Sequence, residues 1–209
     1  MTRRNFIWTG AAAAAGLSVW LRSSTTAAAV SPLIVPVHRI IDTRANCTSE
    51  QVARFESNIW TQAVRDFERC GIRLETTEAK GQIRRSPADR PIFEGLQRGV
   101  INLVVTARIP LHWDRGRGQA GVTTLYEGYH LCLIALEYAH PHQAPFVSVN
   151  TCVHELLHAM LQDIFVSRPT WFEVSQRELR IDWYATRAWL FHDGGAIRRS
   201  AEDYLARLR

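Results

Sequence analysis

Two histidines and a glutamate stand at a spacing that suits the binding of a metal ion. His154 and His158 are four residues apart, and Glu155 directly follows the first of them. With about 3.6 residues per helical turn, positions i and i+4 lie on one face of a helix, so both imidazoles can reach one ion. This HExxH pattern is typical of a catalytic zinc site, in which the imidazoles bind Zn2+ and the carboxylate is the general base. We therefore predict that His154 and His158 are metal ligands and that Glu155 is catalytic.

A catalytic zinc site needs a third protein ligand, because three side chains hold the ion and the fourth position stays open for water. Twenty residues after His158, Glu178 offers a carboxylate, and Asp182 follows one helical turn later. We predict that Glu178 is the third ligand. Asp182 is expected to accept a hydrogen bond from the free ring nitrogen of a ligand histidine, which fixes its tautomer. Glu173 is the alternative ligand, although with Thr170 it forms a capping box at the start of the same helix.

The two motifs together resemble the gluzincin metallopeptidases, the thermolysin-like branch of the zincins, over roughly residues 101–191. The resemblance implies an α+β fold of zincin type, a twisted mixed sheet with an edge strand over the HExxH helix, followed by a helix that carries the glutamate. It also implies a peptide or protein substrate that pairs with an edge strand within residues 121–136. A zinc-bound water would then cleave the peptide bond, with Glu155 as general base. The metzincin pattern fails, because Leu161 and Ile164 occupy the positions of its glycine and its third ligand.

No motif identifies the donor that stabilises the oxyanion of such a reaction. Each candidate has an equally simple explanation as a packed aromatic, a surface cation or a loop residue. The candidates are Tyr129, His130, Arg180, Tyr184 and His192.

Two other functions are compatible with the metal motif. One is a non-catalytic zincin-fold binding protein that keeps a structural metal, and the other is a zinc amidase that acts on a cell-wall crosslink. Glu155 favours catalysis, because a purely structural site needs no base beside its ligands.

The first 29 residues have the features of a bacterial twin-arginine signal peptide. Arg3 and Arg4 precede a mildly apolar run over residues 8–21, and the alanines at 27–29 supply an A-x-A cleavage pattern. The run is shorter than the roughly 20 residues that a membrane-spanning helix requires. We predict export to the periplasm or the medium, with residues 30–209 forming a single zincin-like metallopeptidase domain that has no stable membrane span.

The charge of the chain gives no reason to expect a nucleic-acid partner. The net charge of +5 falls to about +2 without the signal peptide, and the arginines are scattered rather than clustered with aromatic residues. The oligomeric state is left open by the sequence.

Periodicity and capping signals locate the elements that must position the site. Thr48 and Gln51 form a capping box that starts a helix, which Gly71 ends. The proline-containing stretch at 81–90 is typical of a surface loop. The HExxH helix is expected to run from residue 148 or 150 to about 165, and an amphipathic helix follows Gly194 and Gly195. Strands are predicted at 33–41, 72–77, 101–107, 121–126 and 129–136.

The four cysteines leave the disulfide state open. Cys47 and Cys70 flank a helix about 30 Å long, so they cannot pair with each other. A bridge that involves Cys132 or Cys152 and a set of free thiols are both compatible with an exported protein.

Overall fold

The protein combines helices with a mixed β-sheet, which confirms the predicted α+β class at that level. The computed structural model describes residues 31–45, 47–88, 90–110, 119–139, 150–161 and 194–208. The strands are β1 (Leu33–Asp42), β2 (Ile72–Gly81), β3 (Ile83–Arg85), β4 (Pro91–Phe93), β5 (Ile101–Thr106), β6 (Gly121–Tyr126) and β7 (Tyr129–Ala135). The helices are α1 (Ser49–Arg54), α2 (Thr61–Arg69), α3 (Thr151–Leu161) and α4 (Gly194–Leu208), and a π-helical segment, Phe55–Trp60, joins α1 to α2.

Five strands form the main sheet, in the order β2-β1-β5-β7-β6. The four strands β2, β1, β5 and β7 are parallel, whereas β6 runs antiparallel to β7 and lies at the edge. Glu127 and Gly128 connect β6 to β7 with φ values of 48° and 82°. Two successive residues with positive φ suit the twist of a tight hairpin. The predicted edge strand within residues 121–136 is therefore β6.

One face of the sheet packs against the helices and forms the larger of two apolar cores. Because side chains alternate along a strand, every second residue of β1, β5 and β7 points to this face. Helix α3 packs on β6 and β7, and α4 packs on α3. The fully buried members of this core include Val35, Phe55, Phe67, Leu103, Cys132, Ile134, Leu156 and Leu157.

The other face of the sheet is covered by a short hairpin, and here the sequence-based prediction was wrong. We expected a polar loop over residues 81–90, but β3 pairs antiparallel with β4 across it, with Ile83 opposite Phe93. Phe93 is buried against Ile40 and Leu133, which belong to the second core. The apolar residues Ile83 and Phe93 shield this second core from water. The gain from burying this face of the sheet thus outweighs the local sequence signals for a loop.

The predicted first helix exists, with one irregularity that the sequence did not reveal. Thr48 and Gln51 form the capping box, and Gly71 ends the helical region at a φ of 71°. Between α1 and α2 the helix widens into the π segment, where both the main-chain N–H and the hydroxyl of Thr61 donate to the carbonyl of Glu56. Such wide turns occur mainly where a functional or packing demand shifts the register of a helix.

A buried arginine joins the π segment to the sheet. Arg39 of β1 donates two hydrogen bonds of 2.8 Å to the carboxylate of Glu56 and one of 2.5 Å to Glu78 of β2. Its guanidinium also lies 4.9 Å from the ring centroid of Trp60. A bidentate pair fixes geometry as well as charge, so the π segment has a defined position above β1.

The four cysteines are free thiols, and no disulfide joins them. Burial raises the pKa of Cys70 to about 11, with a further contribution from the nearby Asp66 carboxylate. Burial also raises the pKa values of the Cys132 and Cys152 thiols. In the part of the chain that the structure describes, no helix is long and apolar enough to cross a membrane.

Candidate metal centre

Helix α3 begins on a buried asparagine that also holds it to the rest of the protein. The Asn150 side-chain oxygen accepts hydrogen bonds from the main-chain N–H groups of Cys152 at 2.9 Å and Val153 at 3.2 Å. The Asn150 carbonyl accepts the first helical bond, from the N–H of His154. The Asn150 side-chain NH2 group donates to the Ile59 carbonyl in the π segment at 2.8 Å. This residue fixes where α3 starts and therefore where its histidines lie.

His154 and His158 meet one helical turn apart, as the sequence predicts. Their Nε2 atoms are 3.0 Å apart, and their ring centroids are 4.7 Å apart at an interplanar angle of 68°. Zn–N bonds of about 2.0–2.1 Å at a tetrahedral angle correspond to an N–N separation of roughly 3.3 Å. At 3.0 Å the two rings are within hydrogen-bonding distance of each other, and this separation is roughly 0.3 Å shorter than that of two nitrogens on one zinc ion. The donor type fits the metal, and the two nitrogens would have to separate slightly to share it.

Glu155 lies between the helix and the edge strand and is only 5% exposed. The Thr123 hydroxyl of β6 lies 2.6 Å from Glu155 Oε2 and 2.9 Å from the Glu155 main-chain carbonyl. The other carboxylate oxygen, Oε1, lies over Gly121. The predicted general base thus follows His154 in the chain and lies against Gly121 and Thr123 of β6 in the structure.

The remaining predicted site residues, Glu178 and Asp182, lie outside the described residues, as does the alternative ligand Glu173. Within the described ranges, no group of three or more His, Cys, Asp or Glu side chains converges as a metal site would require. The described part of the site therefore consists of the two histidines and Glu155, and the third ligand remains a prediction.

The structure separates the two described candidates for the oxyanion donor, Tyr129 and His130, whereas Arg180, Tyr184 and His192 lie outside the described residues. His130 lies on the same face of β7 as Cys132, and its ring packs edge-on against Tyr204 with centroids 5.1 Å apart. Burial lowers the pKa of His130, which favours its neutral form. By the alternation of the strand, Tyr129 points to the opposite face, where Arg98 stacks over its ring at 5.0 Å. Tyr129 is therefore directed away from α3.

The sequence-based reasoning missed the two β6 residues that contact the general base. Gly121 and Thr123 are two positions apart on a strand, so they share the face that α3 covers. The signal available in the sequence was the presence of two small residues, Gly121 and Thr123, at alternate positions of a predicted strand. Their partner is 32 residues away from Thr123, so no local pattern connects them.

No known protein family, curated protein or solved structure matches the chain.

Proposed function

We propose that the protein is an exported zinc metallopeptidase of the gluzincin type with a zincin-like fold. His154, His158 and Glu178 would hold Zn2+, Asp182 would orient a ligand histidine, and Glu155 is the general base. One observation carries the proposal: two imidazole Nε2 atoms lie 3.0 Å apart on a buried helix whose neighbouring carboxylate is also buried.

The burial of these polar groups supports a metal. His158 is 9% exposed and Glu155 is 5% exposed, on a helix whose other described side chains are almost all in the core. Buried polar and charged groups are stable only when they are paired, hydrogen-bonded or bound to a metal. In the structure the two imidazoles bond each other and Thr123 bonds the Glu155 carboxylate. A shared cation would replace the bond between the rings by two metal bonds, and it would also compensate the charge of the nearby carboxylate.

The arrangement of the sheet supports the zincin-like fold. The gluzincin resemblance implies an edge strand beside the HExxH helix, and β6 is such a strand, antiparallel to its neighbour and in contact with α3. The helix that would carry Glu178 belongs to the resemblance and lies outside the described residues.

The position of β6 also supports a peptide substrate. One side of β6 pairs with β7, and in the described sheet no strand pairs with its other side. A free strand edge offers main-chain donors and acceptors to an extended peptide with little demand on the side chains of that peptide. A peptide bound there would run past α3, so a peptide or protein is the substrate class that the site fits best.

The chemistry follows from the positions of the protein groups. When bound, zinc polarises the scissile carbonyl and makes water a good nucleophile near neutral pH. Glu155 accepts a proton from the attacking water on its carboxylate and returns it to the leaving amine. Because Glu155 is almost fully buried, bulk water has little access to that carboxylate, which strengthens its electrostatic interactions.

The test begins with the metal content of the purified protein without residues 1–29. We expect about one zinc per chain, lost in His158→Ala and in Glu178→Ala. Glu173→Ala is the matched control, because it removes the alternative carboxylate and should keep the metal. His38→Gln is the control for histidine loss, since His38 lies on the face of the sheet away from α3 and bonds Thr77 at 2.8 Å.

The results separate the possibilities. If Glu173→Ala loses zinc and Glu178→Ala keeps it, then Glu173 is the third ligand in place of Glu178. A folded, zinc-supplemented protein that binds no metal refutes the proposed function. Once metal is established, cleavage of a peptide library by the wild type supports the peptidase, and binding without cleavage supports the non-catalytic alternative.

A further inference from the structure

The general base is enclosed on one side by two residues of the edge strand. Thr123 and Gly121 both face Glu155, and each contacts a different oxygen of its carboxylate. They lie on β6 rather than on α3, so the helix and the sheet jointly determine where the carboxylate points.

Thr123 contributes a directed hydrogen bond. Its hydroxyl has one proton and three acceptors within reach, the Oε2 atom at 2.6 Å, the Glu155 carbonyl at 2.9 Å and the Cys132 sulfur at 3.5 Å. A proton goes preferentially to the charged and closer acceptor, because charge-assisted hydrogen bonds are shorter and stronger. The Thr123 oxygen also lies 3.5 Å from the Cys132 sulfur, so a buried thiol packs against the hydroxyl from the side of the sheet.

Gly121 leaves room for the Glu155 carboxylate, because it has no Cβ atom. A Cβ atom at this position would approach Glu155 Oε1 and would lie 2.6 Å from Cγ and 2.7 Å from Cδ. Real Cβ atoms do not come so close, so any other residue would push the carboxylate away. The φ of Gly121 is not positive, so the requirement for glycine here comes from close approach rather than from backbone conformation.

Such positioning matters because a glutamate next to a metal ligand has two possible roles. A carboxylate is itself a good zinc ligand, and one that binds the ion would fill the position that water needs. The side chain of Glu155 can rotate about three bonds, so helix position alone does not decide between the two roles.

We propose that Thr123 and Gly121 are positioning residues that hold the Glu155 carboxylate against β6, so that it acts as a base and not as a metal ligand. This inference rests on the proposed metal site. It predicts that release of the carboxylate from β6 changes both turnover and metal coordination, while the fold is retained.

The test uses the protein without residues 1–29, loaded with Co2+, whose visible absorption depends on coordination number. Thr123→Val removes the hydroxyl at nearly constant shape, and Thr123→Ser restores it. We expect Thr123→Val to lower kcat by about tenfold to a hundredfold with little change in KM, because one hydrogen bond to a charged group is lost. The visible spectrum should change in Thr123→Val and remain like that of the wild type in Thr123→Ser.

Two further variants complete the design. Thr124→Val is the matched control, because Thr124 is the next residue on β6 and faces the opposite side of the sheet. Its kcat and spectrum should equal those of the wild type. Gly121→Ala displaces the carboxylate directly and should reproduce the effects of Thr123→Val, which keeps the test valid if Thr123→Val does not fold.

The outcomes distinguish this inference from the proposed function. A wild type that binds no Co2+ refutes the metal centre itself. A wild type that binds Co2+, together with folded Thr123→Val and Gly121→Ala variants of unchanged spectrum, overturns the positioning role while the metal centre stands. The Co2+ spectrum tests the positioning role of Thr123 and Gly121 even if no peptide is cleaved.

Discussion

Replacement of Asn150 by alanine should destabilise the protein more than the loss of an ordinary surface cap. Its side chain is fully buried and makes three hydrogen bonds, two to the start of α3 and one to the Ile59 carbonyl. Loss of a helix cap costs about 1 kcal/mol. Loss of the bond to Ile59 costs about 1 kcal/mol more, and buried N–H groups left without a partner add up to about 2 kcal/mol. We expect the free energy of unfolding to fall by about 2 to 4 kcal/mol.

The assay is urea unfolding followed by far-UV circular dichroism, with a chelator present so that metal binding does not add to stability. A loss of this size corresponds to a decrease in Tm of about 5 to 15 °C for a domain of this length. Asn150→Ser keeps an acceptor for the helix and loses the donor to Ile59, so its effect should be intermediate. Asn58→Ala, at an exposed position of the π segment, is the control and should change stability little.

A decrease of less than about 0.5 kcal/mol in Asn150→Ala would refute this reasoning. It would mean that the start of α3 is held by other contacts, and that Asn150 does not determine the position of the histidines.

Three further predictions concern the base, the thiols and the signal peptide. Glu155→Gln should lower kcat by about 10² to 10⁴-fold and keep its zinc, as measured by peptide hydrolysis and elemental analysis; unchanged turnover would remove Glu155 from the mechanism. Because burial raises the pKa of Cys70 from 9.0 to about 11, the folded protein should lose stability as the pH rises from 9.0 to about 11, and Cys70→Ala should reduce that loss in urea titrations at several pH values. Replacement of both Arg3 and Arg4 by lysine should leave the precursor inside the cell, and equal export of this variant in fractionation experiments would contradict the twin-arginine assignment.

The elements that the sequence predicted well are those whose signals are local. The capping box of Thr48 and Gln51 spans four residues, and the turn of the hairpin at Glu127 and Gly128 needs two. For α3 the sequence left residues 148 and 150 as alternative starts, and the hydrogen bonds of the Asn150 side chain select the second. In the capping box and the hairpin turn the stabilising partners are close in the chain, whereas Asn150 also bonds Ile59, 91 residues away, and that bond is not visible in the local pattern.

The features that the sequence did not predict depend on distant partners. The strand β3 forms because Phe93 and Ile83 cover a core that β1, β5 and β7 create. The π segment places Glu56 against Arg39 of β1, 17 residues away. Neither requirement is visible until the sheet is assembled, and the local signals of residues 81–90 indicate a loop.

In the candidate site, too, the local interactions could be predicted from the sequence and the long-range ones could not. The pairing of the two histidines follows from the sequence, because positions four apart on one helix share a face. The contacts of Glu155 with β6 could not be predicted from the sequence, because the order of strands in the sheet determines which strand lies beside α3.

The hydrogen bond from Asn150 to Ile59 has a consequence for the order of folding, since it joins positions that are 91 residues apart. Contacts over such a distance form late, because ordering the intervening chain costs entropy before the contact stabilises anything. The β6–β7 hairpin, closed by two residues, can form early and alone. We expect helix α3 to acquire its final position only when the π segment is in place, because Asn150 bonds Ile59 there. We therefore expect the proposed metal affinity only of the completely folded chain, since a chain arrested earlier would present the two histidines on a helix that has not docked.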